Sequence, residues 1–145
     1  MEEKNLKYRK FKEYLKKNDI NYFAEEELHN EAQTYIFKSA VYIAGRYLPA
    51  SIITDHTIYT IIRIQVGKQL ANQKNKEAFH EYVNALNRHY KVFKYVLAYD
   101  GSLYLDAVVP TTNYSFEPKI IMTILDVIVN HLREEYDKIM EIARA

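Results

Sequence analysis

The stretch that decides the fold is Lys91 to Pro110, KVFKYVLAYDGSLYLDAVVP. Apolar, β-branched and aromatic residues lie on both sides of the pair Asp100-Gly101. Asp-Gly between two such runs favours a tight two-residue turn, because both central residues must reach positive φ. The stretch is therefore predicted to form a β-hairpin.

Helical patterns lie on both sides of this hairpin. Before it, apolar residues recur three and four positions apart after Asn75, a predicted N-cap. They are Phe79, Tyr82, Val83, Leu86 and Tyr90. After it, Ser115 with Pro118 in the first turn predicts the start of a long last helix. Its stripe is Ile121, Ile124, Leu125, Ile128, Leu132, Tyr136, Ile139 and Ala143. Because the first half of this helix is apolar nearly all round, we expect neighbours to cover it on more than one side.

The remaining chain predicts one more helix, over Asn5 to Lys17, and four strands. The strands are a short extended segment within Tyr22 to Leu28, then Thr34 to Ala44, Tyr47 to Thr54 and Thr57 to Val66. Gly45-Arg46 and Asp55-His56 are predicted turns, the second of them tight, and Pro49 indicates an edge or a bulge. The predicted order is α-β-β-β-β-α-β-β-α in a single α+β domain, residues 1–145, with an antiparallel sheet packed by helices.

Composition excludes several classes of protein. The chain has a formal net charge of +1, no cysteine and only 3 glycines. These values argue against a nucleic-acid or anionic-membrane field, against disulfides and thiolate metal sites, and against a glycine-rich phosphate loop. The apolar window Ile120 to Val129 is interrupted by Asp126 and is too short to span a bilayer. Met1 to Lys10 lacks the apolar core of a secretory signal, so we expect a cytoplasmic protein without cofactors.

Four short motifs in their order resemble the YbjN-like family of sensory transduction regulators in bacteria. They are Gly45-Arg46-Tyr47-Leu48-Pro49 with the strand after it, Tyr82-Val83-Asn84-Ala85-Leu86-Asn87, Phe93-Lys94-Tyr95 leading to Asp100-Gly101, and the last helix after Pro118. The resemblance covers the chain from about Tyr35 onward. It implies the fold of type III secretion chaperones, frequent dimers, and action through protein contacts rather than catalysis. It implies no catalytic residues.

The first hypothesis for function rests on the positions of the tyrosines. Of 14 tyrosines, Tyr42, Tyr59, Tyr95, Tyr99 and Tyr104 fall in predicted strands, and Tyr95 and Tyr99 are expected on one side. The opposite faces of these strands also hold aliphatic residues, so the sheet must be covered twice, by helices, a second subunit or a partner. Tyrosine suits a face that is sometimes wet. We therefore expect a non-enzymatic interaction protein, a homodimer that binds through Tyr59, Tyr95, Tyr99 and Tyr104. Helices covering both faces would be the simpler explanation.

A polar helix face carries the second hypothesis. His80, Asn84 and Asn87 lie at i, i+4 and i+7, opposite the apolar stripe. They predict either a solvated face with a structural asparagine or one side of a ligand pocket between sheet and helices. A structural role, such as a hydrogen bond to a neighbouring loop, is preferred. The alternative function is therefore a small-ligand-binding regulatory domain.

Other polar groups give weaker patterns. The five histidines show no H-x-x-x-H spacing for a metal, and Asp55-His56 has no serine in a G-x-S-x-G elbow. Glu25 and Glu27 share one side of an extended segment, which is more typical of a charged edge strand than of acid–base chemistry. The basic first helix lacks a stacking sheet beside it, so nucleic acid is not expected as a partner. These patterns favour a protein that is not an enzyme.

Overall fold

The computed structural model describes residues 5–145 of the chain. Within these residues the chain forms three helices and six strands. They are α1 (Leu6–Lys17), β1 (Ala24–Glu27), β2 (Tyr35–Ile43), β3 (Arg46–Thr54), β4 (Tyr59–Gly67), α2 (Lys76–His89), β5 (Lys94–Leu97), β6 (Leu103–Pro110) and α3 (Pro118–Arg144). The predicted order and the α+β class are confirmed.

The strands form a single sheet in the order β1-β2-β3-β4-β6-β5, and every neighbouring pair is antiparallel. Successive strands pair from β1 to β4. Helix α2 then takes the chain away from the sheet, and it returns through the hairpin of β5 and β6. The last strand of the hairpin pairs with β4, so β5 forms one edge of the sheet and β1 the other.

The helices pack on one face of this sheet. In β4 the residues Thr60, Ile62, Ile64 and Val66 are buried, whereas the residues between them are not. The same alternation holds in β3, and it continues into β6. The helices contribute the other half of the core, and their buried apolar residues are Phe11, Leu15, Phe79, Val83, Ile121, Leu125, Ile128, Leu132, Tyr136 and Ile139. One layer of helices on one layer of strands therefore encloses a single core.

The turn between β5 and β6 differs from the prediction. Ala98 N–H donates to Ser102 O over 2.9 Å, so the loop has three residues, Tyr99, Asp100 and Gly101, and not two. Only Gly101 has a positive φ, +87°. This is the common three-residue loop, in which a type I turn is followed by a left-handed glycine. A Cβ on Gly101 would lie 2.2 Å from Ala71 O, so the approach of the neighbouring loop also requires glycine.

The other predicted turns are shifted as well. The tight turn between β2 and β3 is Ala44-Gly45, with φ values of 48° and 80°, and Arg46 already belongs to β3. Asp55-His56 does not form a tight turn. Thr54 pairs with Thr60, so a wider loop joins β3 to β4. Within it Asp55 Oδ1 accepts a 2.8 Å hydrogen bond from Thr57 N–H, which holds the loop in place of a two-residue turn.

Of three local predictions, the edge position of Pro49 is confirmed, whereas the roles of Asn75 and Ser115 change. Pro49 pairs with β2 but lies beyond the pairing of β3 with β4, so it occupies a position with one neighbour, as an edge residue would. Asn75 precedes α2 but makes no side-chain cap; its buried amide instead accepts from Asn72 N–H and donates to Leu70 O. The start of α3 is at Pro118, whereas Ser115 lies in the preceding loop.

The surface of α3 also corrects an expectation. Its first half was predicted to be covered on more than one side, yet Ile120 and Val127 are 47% and 44% exposed. The sheet lies against one side of this helix, through Ile121, Leu125 and Ile128. Because all three helices share one layer, no second layer is available to cover the outer side.

Candidate functional site

The face of the sheet opposite the helices is left uncovered by the described part of the chain. We call it the open sheet face. Its side chains come from the residues that alternate with the buried ones on each strand. They are Ile36, Lys38, Ala40 and Tyr42 on β2, Tyr47, Pro49, Ser51 and Ile53 on β3, Tyr59, Ile61, Arg63 and Gln65 on β4, Tyr104, Asp106, Val108 and Pro110 on β6, and Lys94 and Val96 on β5. No helix among residues 5–145 packs on them.

An aliphatic row crosses the open sheet face. Ile36 lies opposite Ile53, Ile53 opposite Ile61, and Ile61 opposite Val108. Directly opposed residues in antiparallel strands have their Cβ atoms about 4.5–5.5 Å apart, so the four side chains form a continuous apolar band. The isoleucines are partly exposed, and Val108 is 52% exposed. This band is apolar surface that the monomer leaves in water.

A polar row runs beside the aliphatic row. Its members, in the order of the strands, are Lys38, Ser51, Arg63, Asp106 and Lys94. Arg63 forms a bidentate ion pair with Asp106. Nε donates to Oδ1 over 2.9 Å, and Nη2 donates to Oδ2 over 2.8 Å. These hydrogen bonds raise the pKa of Arg63 further above its ordinary value. The planar fork also lies over the ring of Tyr104, 5.3 Å from its centre.

The other charges of the open sheet face are also satisfied within the chain. Lys38 forms an ion pair with Glu26 of β1. Lys94 Nζ donates to the carbonyl oxygens of Asn87 and Tyr90, over 2.6 Å each, at the C-terminal end of α2. Cations are favoured at that end of a helix. Lys38 and Arg63 are thus paired with carboxylates, and the Lys94 ammonium, at the edge of the face, is bonded to backbone carbonyl oxygens.

Two of the predicted tyrosines lie on the open sheet face. Tyr59 is half exposed at the start of β4, opposite Pro110. Tyr104 is partly buried beneath Arg63. At the far end of the face, Tyr42 and Tyr47 lie opposite each other with ring centres 5.0 Å apart. The sequence analysis did not include Tyr47 among the tyrosines of this face. The predicted strands on either side of Gly45 nevertheless place Tyr47 close to Tyr42 across the turn.

Tyr95 lies elsewhere, and the expectation that it shares a side with Tyr99 is wrong. It is 4% exposed on the helix side of β5, where its hydroxyl lies 2.7 Å from His131 Nε2 of α3. The rings of Tyr90 and Phe93 pack around this histidine. Burial raises the pKa of Tyr95 and lowers the pKa of His131, because a charged form of either would lose water.

Tyr99 is fully exposed in the turn between β5 and β6, not in a strand. The same turn holds Asp100, whose carboxylate accepts a 2.9 Å hydrogen bond from Ser102 N–H. This bond holds the pKa of Asp100 below its ordinary value. The structure therefore brings Tyr59 and Tyr104 to one face and separates Tyr95 and Tyr99 from them.

The three residues of the predicted polar patch on α2 also have different roles in the structure. Asn87 has a structural role: its amide bonds both backbone groups of Tyr95, with Oδ1 accepting over 2.7 Å and Nδ2 donating over 3.0 Å. His80 and Asn84 are exposed, in an open depression of about 600 Å³ that is lined by α2 residues alone. His80 also borders a cavity of about 330 Å³ beside the turn at Tyr99. A further depression of about 640 Å³ lies between α2, at Lys76 and His80, and the end of β5, at Val96 to Tyr99, and neither Asn84 nor Asn87 lines it.

One buried cation was missed by sequence reasoning. Lys7 of the basic first helix is fully buried, although that helix was read as lysines in solvent. Its Nζ donates to Tyr59 O over 2.6 Å and lies 3.9 Å from Asp55 Oδ1. Burial lowers the pKa of Lys7, and Asp55 acts against that effect. The ammonium joins α1 to the loop before β4, which is a structural role without access for a substrate.

Between residues 5 and 145 no group of three or more His, Asp and Glu side chains could hold a metal ion. Over the same range no helix has both the length and the apolar character needed to cross a bilayer. Glu25 and Glu27 lie on the helix side of the edge strand, where Glu25 accepts from the hydroxyl of Tyr8. These carboxylates are thus part of the packing of α1 on the sheet.

The chain matches no model of a known protein family and no curated protein. The resemblance to the YbjN-like family therefore remains a prediction from sequence. The geometry of the open sheet face is the observation on which a function can be proposed.

Proposed function

We propose that this chain is a non-enzymatic protein-interaction domain that forms a homodimer, with the open sheet faces of two copies packed together. The single observation that carries the proposal is the aliphatic row Ile36, Ile53, Ile61 and Val108 on a face that none of the described helices covers. Apolar surface removed from water contributes about 25 cal/mol per Å². Burial of an apolar band that crosses four strands therefore favours association of two chains.

The size of the face suits a dimer. Its central strands β2, β3 and β4 have 9 residues each. At about 3.3 Å per residue and about 4.8 Å per strand spacing, the sheet is roughly 30 Å long and 24 Å wide. The face then offers about 700 Å², close to the roughly 800 Å² that each partner buries in a stable complex of standard size.

The charges support a second copy as the occupant. The two charged groups at the centre and at the β2 end of the polar row are paired within each chain, Arg63 with Asp106 and Lys38 with Glu26, and Lys94 lies at the edge of the face. Burying a charge is costly when its partner is absent, and here each copy supplies both partners. A twofold interface needs a patch that can face itself. An aliphatic row beside a paired polar row meets that need. The cytoplasmic location expected from the sequence stays part of this proposal.

The ligand-binding alternative has no comparable support. The depression beside Asn84 is lined by one helix, and the amide of Asn87 is occupied by the backbone of Tyr95. The two depressions between α2 and the β5–β6 hairpin reach Lys76 and His80 but neither Asn84 nor Asn87. A pocket that binds a small molecule is normally concave and surrounded by several elements. The interaction face is therefore the stronger basis for a function.

The test is a single charge placed in the aliphatic row. Ile61→Lys puts an ammonium at the centre of the proposed interface, and Val127→Lys puts the same group on the exposed surface of α3 as a matched control. We expect sedimentation equilibrium at micromolar concentration to give twice the chain mass of 17.2 kDa for the wild type and the control, and one chain mass for Ile61→Lys. A monomeric wild type, or a folded Ile61→Lys variant that remains dimeric, would contradict the proposal.

A further inference from the structure

The edge of β2 is only partly covered. The short strand β1 pairs with Tyr35 to Lys38 and ends there. From Ser39 to Ile43 the outer side of β2 has no neighbouring strand among residues 5–145. An uncovered strand edge presents backbone donors and acceptors that can pair with another extended segment.

The register shows which backbone groups are free. The two-residue turn at Ala44-Gly45 makes Ile43 and Arg46 a hydrogen-bonded pair, and such pairs recur at every second residue of β2. The residues between them direct their N–H and C=O groups away from β3. Leu28 N–H bonds to Thr34 O, which fits the same alternation on the β1 side. Beyond the end of β1, the residues of β2 whose backbone groups point away from β3 are Ala40 and Tyr42. Their N–H and C=O groups have no backbone partner in the described chain.

A cavity of about 270 Å³ opens beside this free edge. Its apolar lining comes from β2 and α3, with Tyr22 and Phe23 at its border, and the α3 residues are Met122, Leu125 and Val129. This volume is below the roughly 300–1,000 Å³ of pockets that enclose a drug-sized molecule. It is suited to one or two apolar side chains.

Two charges of opposite sign flank the cavity on α3. Asp126 and Arg133 both line it, both are exposed, and neither forms an ion pair with any described residue. They are seven residues apart, about 10.5 Å along the helix axis at 1.5 Å per residue. On a strand, side chains four residues apart share one face and are about 13 Å apart, a spacing that long charged side chains can bridge to both groups. An extended segment on the edge could therefore present a basic and an acidic side chain to both of them at once.

We propose that the free edge of β2 binds an extended peptide segment of a partner protein, which adds to the sheet as a strand at Ala40 and Tyr42. One apolar side chain of the segment enters the cavity, and an acidic and a basic residue four positions apart, on the same face as the apolar one, lie opposite Arg133 and Asp126. The two flanking charges favour a segment that carries both an acidic and a basic residue, and for this reason a partner peptide is proposed as the occupant. This site goes beyond the proposed dimer and uses the edge and helix side of the sheet.

The first experiment removes one backbone donor. Ala40→Pro eliminates the outward N–H, and its position on the side away from the β2–β3 hydrogen bonds is one where a strand tolerates proline. Ala40→Val keeps the N–H and serves as the matched control. A phage library of random eight-residue peptides is selected on the wild type, and enriched peptides are measured by fluorescence anisotropy. We expect binding to fall at least tenfold for Ala40→Pro and to change less than twofold for Ala40→Val.

The second experiment reverses the flanking charges. For two peptides with the same apolar residues and opposite charge order, we expect a preference of about threefold to tenfold, from two exposed ion pairs. The double variant Asp126→Arg/Arg133→Asp should invert this preference, whichever direction the peptide runs. Thermal melts confirm that each variant is folded.

Failure of this site and failure of the dimer are distinguishable. Ile61→Lys tests the dimer and should leave peptide binding unchanged, whereas Asp126→Arg/Arg133→Asp, on α3 and away from the open sheet face, should leave the sedimentation mass unchanged. Two outcomes would overturn the proposal: no peptide enriched on the wild type over folded Ala40→Pro, or a preference that the charge reversal does not move.

Discussion

The side chain of Asn87 pairs with the backbone of Tyr95 as a neighbouring strand would. Its Oδ1 accepts from Tyr95 N–H over 2.7 Å and its Nδ2 donates to Tyr95 O over 3.0 Å. Strand β5 is an edge of the sheet, so these two backbone groups would otherwise face outward without a partner. A helix side chain thus closes this edge of the sheet, while the other edge stays open along part of β2.

Removing this amide should destabilise the fold. In Asn87→Ala the N–H and C=O of Tyr95 lose their partners, and unsatisfied partly buried groups cost about 1–3 kcal/mol. We expect a decrease of that size in the free energy of unfolding, measured by urea denaturation. Asn84→Ala, three residues earlier on the exposed side, should change stability by less than about 0.5 kcal/mol. Equal effects of the two substitutions would contradict the role assigned to Asn87.

Two glycines with similar backbone angles should respond differently to alanine. Both Gly101 and Gly45 have positive φ, +87° and +80°. A Cβ on Gly101 would lie 2.2 Å from Ala71 O, whereas the nearest atom to a Cβ on Gly45 is the flexible Tyr42 hydroxyl at 4.0 Å. Gly45→Ala carries only the conformational cost, about 1 kcal/mol. Gly101→Ala must also move a backbone segment, so we expect a loss of more than about 2 kcal/mol by thermal or urea unfolding. A Gly101→Ala loss no larger than that of Gly45→Ala would show that the loop at Ala71 yields easily.

The contact of Arg63 with Asp106 should stabilise the monomer more than an ordinary surface ion pair. Both oxygens of Asp106 are bonded, and its side chain is only 11% exposed. Bidentate, partly buried pairs are the strong ones, so Asp106→Ala should cost about 1–2 kcal/mol. Lys38→Ala, which breaks a more exposed pair in the same row, should cost less than about 0.5 kcal/mol. The measurement is urea unfolding of each variant in the Ile61→Lys background, which separates folding from association.

Stability should decrease at mildly acidic pH because of His131. Burial lowers the pKa of this imidazole in the folded chain below the ordinary value of 6.5. The unfolded chain therefore binds the proton more readily than the folded chain. The contribution of His131 to the free energy of unfolding is complete above about pH 6.5 and is lost as the pH falls toward the folded pKa. One group contributes at most about 1.4 kcal/mol per pH unit in that window. The neighbouring Glu134 favours the charged form and reduces this effect.

Replacement of the imidazole tests this pH dependence. His131→Gln keeps a hydrogen-bonding partner for the Tyr95 hydroxyl and removes the titration. Urea unfolding between pH 5 and pH 7.5 should show a shallower loss of stability for the variant than for the wild type. The substitution His89→Gln, on the exposed surface of α2, is the control and should leave the wild-type slope unchanged. Identical slopes for the wild type and His131→Gln would exclude His131 as the group responsible.

Much of the fold was readable from local patterns. Periodicity placed Phe79 and Val83 on one stripe of α2, which is buried, and the periods of the other segments gave the order of helices and strands. These predictions succeeded because a helix repeats about every 3.6 residues and a strand every 2, and burial follows these periods. Turns were less accurate. Asp100-Gly101 permits two hairpin loops, and the hydrogen bond between Ala98 and Ser102 selected the longer one.

The site residues were predicted less well than the elements. Tyr95 and Tyr104 both fall in apolar strands of the same hairpin, yet one points toward His131 and the other lies under Arg63 on the open sheet face. Alternation tells which residues of one strand share a side. It does not tell which side faces the helices when both sides are apolar. Lys7 shows the same limit, because a lysine is buried only where the fold supplies a carbonyl and a carboxylate for it.

The sequence by itself determined the order of helices and strands, the α+β class and the inner stripe of each helix, because these follow from spacing along the chain. Only the tertiary structure decided that all three helices lie in one layer. It also decided that Ile36, Ile53, Ile61 and Val108 line up across four strands. The physical reason is that strand register and helix placement depend on contacts between residues far apart in the chain, and no local pattern records them.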